Sequence, residues 1–427
     1  MPFSVDVSAN VGPVPTRLSR RLGTLDAVVI GLGAMIGAGI FAAIGPAARA
    51  AGNGLLIGLL IAALVAYCNA TSSAQLAAIY PESGGTYVYG RRRLGSFVGY
   101  VAGWSFIVGK LASCSAMALT FGYYAEPDLA RPLAIAAVVV LSAVNYSGVQ
   151  KTAALTKVIV AVVVASLAVV VSAALLGGQA DASRLTPLVD DSHKLTGILQ
   201  AGGLLFFAFA GYARIATLGE EVTDPRNTIP RAIPIALGIA LVVYGTVAVA
   251  ALAAVGPQTL AESDAPLASV VKAGTLSQVA PVVRLGATVA SLGVLLSLMV
   301  GVSRTMFSMA SNGDMPGTLS HVHPRYKVPD RAEMVVAACV IAIVLFIDVR
   351  GAIGFSSFGV LLYYAITNAS ALTLGSAERR WPRALAVTGG IGCVVLAFSL
   401  PRESIAAGIG VVAMGAMTYA ARTRLAR

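Results

Sequence analysis

Charged residues make up only 11% of this 427-residue chain, against roughly a quarter in a soluble globular domain. That shortage excludes a water-soluble fold of this length. Acids are scarcer than bases, 19 Asp and Glu against 30 Lys and Arg. The resulting charge of +11 falls in short clusters between apolar runs, which excludes a basic nucleic-acid face and fits orientation in a membrane. The four cysteines, Cys68, Cys114, Cys339 and Cys393, stand in four different apolar runs without CxxC or CxH spacing, so they read as small packing residues. His321 and His323 form an HxH pair in a loop with no further ligands near them, too few for a metal. HExxH, GxSxG and GxxxxGK[ST] are all missing, and with them the parts for metal hydrolysis, serine acyl transfer and ATP-driven pumping. The expectation is a protein that is not an enzyme and needs no cofactor.

What is present is apolar surface. Hydrophobic residues reach 57% and gather into runs of about 18 to 25, long enough as helices to cross a hydrocarbon core of roughly 30 Å. The runs place about twelve spans at 25–50, 54–79, 96–124, 131–148, 155–177, 196–219, 230–256, 281–311, 333–348, 352–375, 383–400 and 403–421. The first run continues into further spans without a small-residue cleavage pattern and is read as a retained helix, not a removed signal. The spans divide the chain into a tail (1–22), a core of ten helices (23–376), and two last helices with a short tail (377–427). With twelve spans both termini share a side, and 21 of the 30 Lys and Arg lie on it, against eight opposite and Lys110 within a span. By the positive-inside rule both termini are cytoplasmic, in a multi-pass protein of the cell membrane.

The first span reads GLGAMIGAGIFAAIGP. Gly37 and Gly39 bracket one residue near its middle, which favours a loss of helix over a packing ridge, where small residues recur every four. Unwound backbone groups have no partners in lipid, so such a break persists only where it lines a cavity. Amides opening the half-helix after the break suit a carboxylate, and carbonyls closing the half-helix before it suit an ammonium. An α-amino acid carries both. The sixth span repeats the device at Gly211, among Phe209, Tyr212 and other aromatics. Two interrupted spans five apart are what an inverted five-plus-five repeat produces.

At these residues the chain resembles the amino acid-polyamine-organocation superfamily of permeases. The matching stretches, in order, are GAMIGAGIF (33–41), YPESGGTYVYGRRRLG (80–95), NYSGVQKTAALTK (145–157), FFAFAGYARIATLGEEVTDPRNTIPRAI (206–233) and SRTMFSMASNGDMP (303–316). The resemblance implies an all-α membrane fold with discontinuous helices 1 and 6, two peripheral helices, and alternating access around a central site. It implies that the amides of Ala38 and Gly39 cradle a carboxylate, with Ile36 and Gly37 in the unwound turn. The carbonyls of Met35, Phe207 and Ala210 would then meet the ammonium beside Gly211, with Phe207 as an aromatic gate. Glu82, in the loop before Tyr87 and Tyr89, and Glu220 and Glu221 are gate or coupling candidates, with Arg91 to Arg93 as their expected partners.

Two positions depart from that pattern. Many members carry a lysine in the fifth span, where this chain has Val163, and Lys157 falls about six residues short. Lys110 instead stands mid-way along the third span, where a charge costs at least roughly 2.5 kcal/mol even on the lenient insertion scale. The sequence offers no acid deep in the membrane to pair with it. It therefore reads the substrate side chain, carries the coupling proton, or bonds the unwound carbonyls as a structural group. A cation there, with Arg214 past Gly211, disfavours cationic substrates. The resulting expectation is a secondary amino acid permease driven by protons or exchange, monomeric or homodimeric, with the amino acid, lipid and protons as partners. The alternatives are a polyamine or organic amine exchanger of the same fold, or a sensor or channel that does not concentrate its ligand.

Overall fold

The computed structural model describes residues 22–37, 39–80, 84–148, 153–189, 194–216 and 222–425. Among them the chain is helical, apart from one isolated parallel bridge between Leu22 and Val222. In chain order the helices are α1 (Thr24–Met35), α2 (Gly39–Ala51), α3 (Leu55–Ile79), α4 (Thr86–Arg93), α5 (Ser96–Ala125), α6 (Ala130–Tyr146), α7 (Ala153–Leu176) and α8 (Leu195–Phe209). They continue as α9 (Ala213–Ala216), α10 (Pro225–Glu262), α11 (Pro266–Lys272), α12 (Ala280–Ser311), α13 (Asp330–Phe346), α14 (Val349–Leu372), α15 (Arg383–Ser399) and α16 (Arg402–Leu425).

Nine helical stretches among the described residues are long and apolar enough to cross a membrane, which makes this a multi-pass membrane protein. Helices α1, α13 and α15, of 12, 17 and 17 residues, fall on further apolar runs. Local signals set several boundaries. The Gly23 amide donates to the Asp26 carboxylate at the start of α1 (3.3 Å), and Asp348 caps α14 by accepting from the Gly351 amide (2.9 Å), each satisfying an amide that the helix leaves open. Short α4 is flanked by Gly85 and Gly95, both at positive φ (55° and 101°), where a side chain is strained. Helix α10 breaks its regular dihedrals at Gly256 (φ 73°), next to Pro257.

Burial separates centre from rim. In the most apolar window of α5, 83% is buried inside the protein, against 17% in α16 and 28% in the stretch containing α6. Since a helix facing lipid keeps apolar side chains exposed without penalty, α5 is the axial helix of the bundle and α16 a rim helix. Glycine permits the close approach α5 needs: a Cβ on Gly109 would lie 3.3 Å from the Gly359 Cα of α14, the small-residue contact typical of membrane helices.

Candidate substrate site at the two helix breaks

Helix α1 runs as far as the glycines allow. The Ile36 amide still donates to the Leu32 carbonyl (2.7 Å), after which regular helix is lost and resumes at Gly39. Ala38, expected in the carboxylate cradle, lies outside the described residues. Helix α8 ends at Phe209, a 3-10 turn spans Ala210–Tyr212, and α9 follows. Both interruptions expected from the sequence are therefore present.

The two breaks touch backbone to backbone. A Cβ on Gly211 would stand 2.2 Å from the Ala34 carbonyl oxygen and 2.7 Å from the Met35 nitrogen, and one on Gly39 would stand 2.7 Å from the Ala208 Cα. Only hydrogen fits at either point. Tyr244 of α10, fully buried, joins the same elements: its hydroxyl lies 2.5 Å from the Met35 carbonyl oxygen and 3.1 Å from that of Ala208. The Met35 carbonyl is thus already held by a phenol. The Tyr364 hydroxyl of α14 reaches the Ala210 carbonyl at 3.5 Å, the long limit of a hydrogen bond. Aromatic rings wall the breaks, with Phe209 against Tyr244 (5.2 Å between centroids), Phe206 against Tyr364 (5.8 Å) and Tyr212 against Tyr364 (5.1 Å). Phe207, the expected gate, is half-buried, unlike its buried neighbours Phe206 and Phe209.

Lys110 is buried in the middle of α5 (8% exposed) and has neither a hydrogen bond nor an ion pair to any described residue. Its helical neighbours give its direction. Gly103, about 20° away at 100° per residue, packs on Met309 of α12, and Tyr124, about 40° to the other side, bonds the Phe41 carbonyl of α2 (3.2 Å). Lys110 therefore faces the bundle interior between α12 and α2. Val163 is buried and apolar. Lys157 pairs with Asp26 at the start of α1 (2.9 Å). Ser291 and Ser297 bond carbonyls of their own helix, in keeping with packing residues.

The gate candidates Glu82, Glu220 and Glu221 lie outside the described residues. Two of the arginines expected beside them have other partners: Arg91 pairs with Asp314 (2.6 Å) and Arg93 with Glu378 (2.6 Å). Asp314 is a hub, accepting also from the Tyr87 hydroxyl (2.7 Å) and from Arg422 of α16 (3.5 Å). No sequence motif pointed to Tyr244 or Tyr364, and the stretch 303–316 that contains Asp314 gave it no role, because each acts through a helix distant in the chain. Neither did one point to Glu333, which is buried (3% exposed) at the first turn of α13. That burial was not evident from the sequence.

Comparison with known proteins bears directly on this geometry. The family model for amino acid permeases matches residues 22–420, nearly the whole chain and both breaks. This chain belongs to the amino acid permease family. It is 62% identical over 414 residues to an uncharacterized transporter of Mycobacterium tuberculosis, covering 97% of this chain and 94% of the relative. A branched-chain amino acid permease of Bacillus subtilis is 26% identical over 336 residues (73% and 71% of the two chains). A vacuolar cationic amino acid transporter of Arabidopsis thaliana is 27% identical over 391 residues (86% and 61%). The permease is a transporter of amino acids and not an enzyme.

Proposed function

We propose that this permease moves neutral amino acids across the cytoplasmic membrane by alternating access, driven by protons or by exchange, and binds them where the two helix breaks meet. The observation that carries this reading is the backbone contact of α1 and α2 with α8 and its 3-10 turn. It brings the carbonyl end of one half-helix and the amide start of another into one place, which suits a zwitterion. In this reading α1 with α2, and α8 with α9, are the discontinuous first and sixth of twelve spans. Ten spans form a five-plus-five repeat, α15 and α16 are peripheral, and both termini are cytoplasmic.

Contacts at both ends of the broken helix support a closed intermediate of such a cycle. At the α1 end, Asp26 is tied to Lys157, and Leu22 pairs with Val222 while its carbonyl accepts from the Thr223 amide (3.0 Å). At the α2 end, the Tyr124 hydroxyl bonds the Phe41 carbonyl and accepts from the Leu267 amide of α11 (3.2 Å). Opening one side then requires breaking one set while the other holds. The Lys110 ammonium, buried without an opposite charge in contact, supports a neutral over a cationic side chain, because a second cation would add to an unpaired charge in low dielectric.

The test is uptake of labelled leucine and arginine by the purified permease in proteoliposomes, with and without an inward proton gradient and with counter-substrate inside. Concentrative leucine uptake or leucine exchange, with arginine a poor competitor, is the expected result. Arginine uptake exceeding that of leucine would overturn the neutral-substrate reading. Downhill flux indifferent to both gradient and counter-substrate would overturn coupled transport.

A further inference from the structure

The buried charged side chains among the described residues are Lys110, Asp314, Asp330 and Glu333. Asp314 and Asp330 each have an ion-pair partner, Arg91 and His321. Lys110 and Glu333 have none, and they carry opposite charge.

Glu333 is not an ordinary helix-capping acid. A capping carboxylate stays near solvent and satisfies its own first turn, whereas Glu333 reaches across to α12, where its Oε1 accepts from the Ser303 hydroxyl (2.7 Å). Its Oε2 is buried with no hydrogen-bond partner. An unpaired buried carboxylate oxygen is costly unless a proton or a cation reaches it. The other groups around it leave that place open. On α12 the only nearby charge besides Ser303's dipole is Arg304, which is exposed and makes no ion pair with it. Helix α6 brings Arg131, whose guanidinium bonds the Leu345 carbonyl at the far end of α13, and Tyr146, which packs on His323. Helix α5 brings Cys114, a buried thiol one turn beyond Lys110.

Two further titratable groups precede Glu333. Asp330 lies three residues earlier, about 4.5 Å along the helix and on nearly the same face, and accepts from or shares a proton with His321 Nδ1 at 2.7 Å. Side-chain exposure falls from 39% at His321 to 10% at Asp330, and Glu333 beyond them is 3% exposed. An imidazole exchanges protons readily near neutral pH.

We propose that Glu333 is the proton-binding group of the transport cycle, taking its proton from the outward-open substrate side and giving it up to the cytoplasmic loop through Asp330 and His321. The step is a plain protonation: the carboxylate takes one proton from the outward-facing side, forming one O–H bond, and that bond breaks when the proton leaves for the cytoplasm through Asp330 and His321. This inference rests on the proton-driven form of the proposed function and gives Val163 a physical meaning, since the proton-binding group then stands on α13 and not on α7.

Two measurements on the full-length protein in lipid test it. Infrared difference spectra across a pH jump need no substrate, and the wild type is expected to show a carboxylic-acid C=O band that is lost in Glu333→Gln and recovered, shifted, in Glu333→Asp. Unchanged spectra in Glu333→Gln would overturn the assignment. In proteoliposomes, an inward gradient of one pH unit supports up to about tenfold leucine accumulation per coupled proton. Glu333→Gln is expected to reduce this to no accumulation while retaining leucine counterflow, and Glu333→Asp to restore part of it. Wild type coupled to protons with Glu333→Gln equally coupled would overturn only the role of Glu333. A wild type that exchanges leucine but ignores the gradient would overturn proton coupling itself, and with it this inference.

Discussion

At the scale of single residues, the most consequential side chain outside the breaks is Asp314. One carboxylate, 7% exposed, ties α4 through Tyr87 and Arg91, the end of α12, and α16 through Arg422. Breaking a buried ion pair from one side leaves the other partner uncompensated and costs roughly 3–5 kcal/mol; Arg91 is itself 34% exposed, which points to the low end. Asp314→Ala is expected to lower stability by about 3 kcal/mol, and Tyr87→Phe, which removes one hydrogen bond, by about 1 kcal/mol, measured by denaturation in detergent. The pair Arg93–Glu378 joins the end of short α4 to the connection between α14 and α15, and its effect is one of pH. The hydrogen bond from Arg93, then that from the Gly375 amide, holds the Glu378 carboxyl below the ordinary glutamate value near 4.5. Its contribution is therefore fully present above that ordinary value and is lost as pH falls through the lower folded value. Melting curves between pH 3 and 6 are expected to fall less steeply toward acid in Glu378→Gln than in wild type.

At the scale of elements, the contact between the breaks tolerates no added atom. A methyl group at Gly211 would overlap the backbone of Ala34 and Met35, and backbone, unlike a side chain, cannot rotate away. Gly211→Ala and Gly39→Ala are expected to abolish substrate uptake while the protein still inserts, because each pushes apart the half-helices that compose the site. Gly301→Ala, where no atom lies within 4 Å, serves as the control and is expected to transport normally. Tyr244→Phe removes one hydroxyl from two carbonyls; a loss of about 1–2 kcal/mol in stability and a larger loss in uptake are expected, read by thermal shift and proteoliposome flux.

At the scale of the whole molecule, the balance between closed and open states rests on modest terms. The Asp26–Lys157 pair is 31% and 56% exposed at its two side chains, so it contributes at most about 1 kcal/mol, roughly a fivefold shift in population. Asp26→Asn and Lys157→Met are expected to raise labelling of a reporter cysteine on the α1 face by about that factor without preventing transport. Most of this architecture was legible from the sequence, because lipid forces every span to be an apolar helix and permits a break only at a cavity. Gly37, Gly39 and Gly211 marked the breaks for that reason. Glu333 was not legible, because an acid at the start of a span reads as a solvated cap until a helix thirty residues away in sequence is seen to bury it. The partners of Arg91 and Arg93 were not legible for a related cause: charge alone cannot say which of several acids will arrive from a distant helix. One consequence follows from Tyr244, which offers a single hydrogen to two oxygen atoms on two different helices. In the alternating-access cycle proposed above, separating those helices would make the phenol abandon one of them, and the helix that keeps the tyrosine would be the one that travels with α10.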